Sequence, residues 1–315
     1  MKTLNALVKR NVKIFFKDKG TFFTSLITPI ILLVLYVTFL YNVYEDSFLQ
    51  SIPQDFAFDS KVIKGLVGGL LLSSLLAVSA VTVPFCAHLC AVQDKVTGAR
   101  GDFNVSPTSQ KTIALSYYFA TVFNGMLISL VATALGMAYL AFTGWYLSVG
   151  EVLLFLLDTT LLVLFGSALA ALVSHPLTTQ GQLSAVGTIV SAGYGFICGA
   201  YMPISQFGVG LRNALSFLPG TYGTSLLRNH ALKGAYREMA NQGFPQEVIE
   251  GIRDTADCNL YFFGKQVELW QSYFVLIAAI LVLTAAYILW NVLSDKKRRK
   301  PRDKKSDNQT KTGEK

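Results

Sequence analysis

Apolar runs of about twenty residues, separated by short polar breaks, recur along this chain and restrict it more than any other feature. The stretches 21–41, 62–92, 112–142, 151–173, 182–201 and 269–293 each have the length of a membrane-crossing helix. Only 15% of the 315 residues are charged and 52% are hydrophobic, against about 25% charged in soluble domains. Backbone inside a bilayer must satisfy its own hydrogen bonds, so the expected fold is an all-α polytopic membrane protein with six spans. The net charge of +8 is concentrated at the two ends of the chain, beside membrane segments. A positive-inside bias accounts for it without nucleic acid, and no nucleic-acid partner is expected.

The expected organisation follows from these breaks. Residues 1–20 form an amphipathic interfacial helix, with Leu4, Leu7, Val8, Val12, Ile14 and Phe15 at helical spacing and Lys9, Lys13 and Lys17 on another face. Such a helix lies among membrane lipids, or serves as a basic flank that sets topology. Residues 21–293 form the membrane domain, with Pro29 as a kink in the first span. The acidic stretch 42–60 carries no Lys or Arg before Lys61 and belongs outside. Residues 203–268 hold apolar pieces too short to span, then a soluble outer insert beginning at Asn229. Residues 294–315 form a basic, disordered tail. Both termini, the loop 93–111 and the turn after 172 then fall in the cytoplasm, and the chain is a multi-pass protein of the cell membrane.

Several polar residues stand out against the apolar background. Asp158 lies about two turns inside the fourth run. It reads either as an intramembrane functional site or as a group paired with a neighbouring helix. Cys86, His88 and Cys90 invite a metal reading, but His88 points away from the cysteine pair on a helix, so no metal site is expected. Cys198 and Cys258 both fall near the outer side, and whether they pair is open. The fifth run is rich in Gly, Ser and Ala, which suits a packed interior or a dimer interface.

Two stretches carry a resemblance. The loop 93–111 contains Asp94, Lys95, Gly98, Phe103, Ser106, Pro107 and Ser109 in an acidic-Lys-x-x-Gly…Phe-x-x-Ser-Pro-x-Ser pattern. On composition alone it is a solvated loop. With this pattern it resembles the cytoplasmic coupling loop of ABC-transporter permeases of the type-2 export class, although the usual glutamate is Asp94 and the usual Thr after the glycine is Ala99. The resemblance implies that Asp94, Lys95, Gly98, Arg100, Phe103 and Pro107 engage a separate ATPase subunit, Phe103 as a knob for its groove. The second stretch, with Pro203, Pro219, Thr221, Tyr222 and Arg228, is similar to the outer re-entrant pair of that class; Leu218 replaces its usual Asn. Pro203, Pro219, Tyr222 and Arg228 are the implied outer gate.

The chain contains no G-x-x-x-x-G-K-[ST] phosphate loop, no H-E-x-x-H and no G-x-S-x-G. It is therefore not expected to be an enzyme or to hold a cofactor. ATP and Mg would reside in the partner ATPase subunit. The expected function is that of a permease subunit of an ABC exporter for a hydrophobic or amphipathic substrate. It would work with a second permease chain, identical or related, across an interface on the second and fifth helices. The competing expectation is a stand-alone secondary transporter or channel using Asp158 as an ion or proton site. Internal inverted repeats, common in such transporters, are not visible.

Overall fold

The computed structural model describes residues 2–52, 58–105 and 108–310. Helix α1 (Lys2–Lys17) is followed almost at once by α2 (Lys19–Leu35). Asp18 marks the boundary, its carboxylate accepting from the Thr21 amide and hydroxyl. A π-helical turn, Tyr36–Leu40, leads into α3 (Tyr41–Gln50), so the first span runs about two and a half turns beyond the expected end at 41. The extension follows from an apolar seam: Tyr36, Tyr44 and Phe48 are buried, with Tyr36 and Tyr44 stacked at 5.7 Å. Pro29 sits inside α2 at a buried position.

The remaining helices are α4 (Ser60–Val96), α5 (Ala99–Val105), α6 (Gln110–Thr143), α7 (Val149–Ser174) and α8 (Gln180–Ile197). A short 3₁₀ turn, Ile204–Gln206, precedes α9 (Val209–Leu215), α10 (Pro219–Asn241) and α11 (Gln246–Thr255). Helices α4, α6, α7 and α8 start on side-chain caps, as polar residues before apolar runs dictate. Asp59 caps α4 and Ser109 caps α6. Ser148 with Glu151, and Thr179 with Gln182, close capping boxes on α7 and α8.

Strands β1 (Leu260–Phe262) and β2 (Lys265–Val267) form a hairpin that the sequence reading did not foresee. Its turn places Phe263 and Gly264 at φ +48° and +82°, the left-handed pair a two-residue hairpin requires. The final helix, α12 (Leu269–Thr310), continues past the expected end at 293 through the basic stretch, where disorder was expected; Lys and Arg are good helix formers.

Helix α4 is the axis of the bundle. It is buried along nearly its whole length and packs against α2, α6, α7, α8 and α10. The second helix is therefore largely covered by its own neighbours, with Leu89, Cys90 and Gln93 left partly open beside α8. Glycines allow the closest approaches. A Cβ on Gly166 of α7 would lie 2.5 Å from the Ala80 carbonyl of α4. Helix α8 is instead exposed over most of its surface, with only Leu183, Tyr194 and Gly195 buried. The packed-interior reading of the fifth run does not hold within one chain.

Among the described residues, five helical stretches are long and apolar enough to cross a membrane: Lys19–Gln50, Ser60–Val96, Gln110–Thr143, Val149–Ser174 and Leu269–Leu293. Helix α8 has 18 residues, with Gln180 and Gln182 in its first turn. The expected soluble insert at Asn229 is also corrected. Helix α10 continues through it to Asn241, and Asn229, His230, Leu232, Tyr236 and Met239 are buried against the bundle.

Candidate functional site

The candidate site begins at the end of the bundle formed by α1, α5 and the ends of α4 and α6. Asp94 lies in the last turn of α4 and is only 7% exposed. Arg10 of α1 grips it with two nitrogens, at 2.6 and 3.2 Å. Tyr117 of α6 donates its hydroxyl to the same carboxylate at 2.5 Å. Donating to the Asp94 carboxylate raises the pKa of the Arg10 guanidinium further and holds it charged. Beside this contact, Asn11 donates to Ser116 at 3.4 Å. One carboxylate thus fastens three helices.

Phe103 of α5 lies under Arg10, with the guanidinium 5.1 Å from its ring centre. Together with Leu7 it packs on Ala91, Ile113 and Tyr117. Phe103 is therefore half-buried and turned inward, rather than projecting as a knob. Gly98 makes the sharp turn into α5 at φ +83°, and the Gly101 amide donates to its carbonyl at 2.7 Å. Val96, Thr97, Gly98, Gly101 and Asp102 are exposed, while Arg100 is half-buried. Pro107 and Ser106 lie outside the described residues.

Lys95 points the other way, towards the end of α7. Its Nζ donates to the carbonyls of His175 (2.6 Å), Leu177 (3.2 Å) and Ser174 (3.5 Å). A cation at a helix C-terminus satisfies open carbonyls and the negative end of the macrodipole. Adjacent residues of α4 thus tie the loop to α1 and α6 on one side and to α7 on the other. Asp94 and Lys95 act as fasteners inside this chain, with the exposed loop surface lying on residues next to them. Sequence reading missed Arg10 and Tyr117. The one available signal was Arg10–Asn11, a polar pair interrupting the lysine stripe of α1.

A cleft of about 750 Å³ opens beside this junction, between α1–α2, α4 and α8. Its walls mix apolar Ile27, Ile31 and Leu89 with hydroxyl groups from Thr24, Ser184 and Thr188. Thr28 donates to the Ser191 carbonyl at 3.3 Å and links its two sides. A volume of this size suits a drug-sized amphipathic molecule.

At the opposite end, α10 lies against the first half of α7. A side chain on Gly223 would collide with Leu162, and one on Gly234 with the Tyr146 carbonyl. Arg228, 1% exposed, donates to Asp257 at 3.1 Å, the Gly199 carbonyl at 2.6 Å and Ser74 at 3.4 Å. Asp257 also accepts from the Ile204 and Ser205 amides. Pro203 is buried before the 3₁₀ turn, and Pro219 occupies the first position of α10, where its missing N–H costs nothing. Tyr222 donates to the Ser216 carbonyl at 2.6 Å. Arg237 makes a two-pronged contact with Glu151 at 2.7 and 3.3 Å.

Asp158 is fully buried and paired with neighbouring helices. One oxygen contacts His230 Nδ1 of α10, and the other accepts from Tyr273 of α12 at 2.6 Å. His88 meets Thr121 at 3.0 Å. Cys198 and Cys258 are both free thiols; Cys258 lies 3.5 Å from the Tyr236 hydroxyl, and burial pushes its pKa up to about 11.

A comparison with curated proteins returns no match. The family model for the ABC-2 type transporter matches residues 2–231, which include α1 to α9, the 93–111 loop and the first half of α10. A long-helix bundle with an amphipathic N-terminal helix fastened under its loop, and a match over most of the chain, make this protein a member of the ABC-2 type transporter family, the membrane component of such a transporter.

Proposed function

We propose that the chain is the permease subunit of an ABC exporter in the cell membrane, driven by a separate ATPase subunit that docks on the loop 93–111. The observation carrying this reading is the double fastening of that loop, with Asp94 held by Arg10 and Tyr117 and Lys95 held on the end of α7. A push on the exposed surface from Val96 to Asp102 reaches α1, α4, α6 and α7 without passing through a flexible link. Helix α8 supplies the sixth span, 18 residues being about 27 Å of helix, close to the hydrocarbon thickness. Both termini then face the cytoplasm.

Helices α9 and α10 form the outer re-entrant element. Helix α10 reaches from the depth of Leu162 back out to the α6–α7 turn, as its contacts with Leu162 and Tyr146 indicate. The cleft between α2, α4 and α8 is the entry for a hydrophobic or amphipathic substrate. A second permease chain covers the exposed face of α8 and completes that compartment. The test is reconstitution with the ATPase subunit. Deleting residues 96–103 is expected to abolish ATPase stimulation while the membrane part stays folded. Undiminished stimulation would reject the docking assignment.

A further inference from the structure

A second, smaller recess lies apart from the loop and the cleft. It is a cavity of about 170 Å³ between α9, the start of α10, the end of α11 and the β hairpin. Two charges of opposite sign line it. Arg212 of α9 is half-buried, and among the described residues its side chain has no hydrogen-bond or ion-pair partner. Asp254 of α11 accepts from Asn259 at 2.8 Å and from Tyr261 at 3.1 Å, but has no cationic partner. The other carboxylate on the wall, Asp257, is already neutralised by Arg228. Arg212 and Asp254 share the cavity without pairing to each other. One charge of each sign is left without a counter-charge in the same recess, so a ligand carrying both signs complements the pair.

The rim adds a second property. Phe217 and Phe262 are chain neighbours of the wall residues Ser216 and Tyr261 and lie outside the lining itself. Phe217, Phe262 and Phe263 pack edge to face at 5.2 and 5.7 Å from Phe217, and Phe217 and Phe263 remain 62% and 57% exposed. An exposed aromatic cluster of this kind seeks apolar material. Cavities of about 150 Å³ hold a benzene-sized molecule, so 170 Å³ admits a head group and leaves chains outside on the aromatic rim.

We propose that this cavity binds a phosphate–ammonium zwitterion of the phosphoethanolamine type, the phosphate on Arg212 and the ammonium on Asp254, with the aromatic rim selecting it as the head group of a lipid. Arg212 offers charge-assisted hydrogen bonds to phosphate oxygens. Asp254, steadied by Asn259 and Tyr261, receives the ammonium. The site is independent of the ATPase assignment and stands whether or not the loop docks a partner.

The test is calorimetric titration of the detergent-purified full chain with dihexanoyl phosphatidylethanolamine, dihexanoyl phosphatidylglycerol and free phosphoethanolamine. The ethanolamine lipid is expected to bind most tightly. Arg212→Gln and Asp254→Asn should each weaken it by about tenfold or more, the scale of a charged hydrogen bond. The Asp254 change should leave the glycerol lipid unaffected. Phe217→Ala should weaken the lipid but not free phosphoethanolamine; equal affinity for the two would keep the zwitterion site and assign a soluble source. Because the Arg212 side chain has no partner here, Arg212→Gln leaves the fold intact, which a thermal melt checks. Wild-type affinity for the ethanolamine lipid in both charge variants, or no binding by the wild type, would overturn the proposal.

Discussion

A single carboxylate, Asp94, accepts from residues on two other helices, and its removal separates their loss from that of ordinary surface pairs. Exposed ion pairs contribute little, and Arg10 is partly solvated, so its share is modest. The buried Tyr117 hydroxyl is the larger concern, because Asp94→Ala leaves it without its acceptor. The variant should lose about 1–3 kcal/mol, read as a lowered melting temperature of the purified chain. Tyr117→Phe should lose less, since no donor is stranded. Cys258 offers a second residue-scale check. A thiol with its pKa raised to about 11 by burial is almost wholly protonated at pH 7.5, and thiolate is the reactive form. Maleimide should leave Cys258 unlabelled in the folded chain at that pH and label it after denaturation.

Helix α10 shows most clearly where sequence reading stops. Helices α7 and α12 announce themselves as apolar runs, and their boundaries lie close to the expected ones at the ends where caps or interface residues mark them. Helix α10 carries Arg228, His230, Lys233 and Arg237, so from Asn229 onward it reads as a soluble outer insert following the re-entrant stretch. Its burial comes from partners distant in sequence: Asp257 for Arg228, Asp158 for His230 and Glu151 for Arg237. One trace of this was legible. An aspartate at membrane depth needs a partner, and His230 is an available hydrogen-bonding group in the segment that reads as a soluble outer insert. Gly223 and Gly234, which let α10 approach α7 and the α6–α7 turn, look in the sequence like loop glycines. Gly234→Ala should therefore be costly despite its small size. Its Cβ would meet backbone, which cannot step aside, and overpacking of this kind costs about 1–3 kcal/mol. A melting temperature equal to wild type would show that α10 does not sit where its contacts place it.

On the scale of the molecule, charge bias and span count agree only when α8 crosses the membrane, and this is directly measurable. A cysteine introduced at Asp102, an exposed position on α5, should react with an impermeant reagent only in inside-out vesicles. Labelling from the outside of intact cells would invert the topology and remove the docking surface from the ATPase. The loop motif was legible as a motif, but its internal roles were not. Nothing in the local pattern says that Asp94 faces α1, that Lys95 faces α7 or that Phe103 turns inward, because those directions are set by Arg10, Tyr117 and the end of α7.

Helix α4 has 37 residues, about 55 Å at the usual rise, against a hydrocarbon slab of roughly 30 Å. Such an excess would ordinarily force tilting or a local swelling of the bilayer. Because its neighbours wrap α4, almost none of that length meets acyl chains. Matching to bilayers of different thickness then falls to the lipid-facing rim of α2, α6 and α12, and the central pillar keeps its register whichever membrane surrounds it.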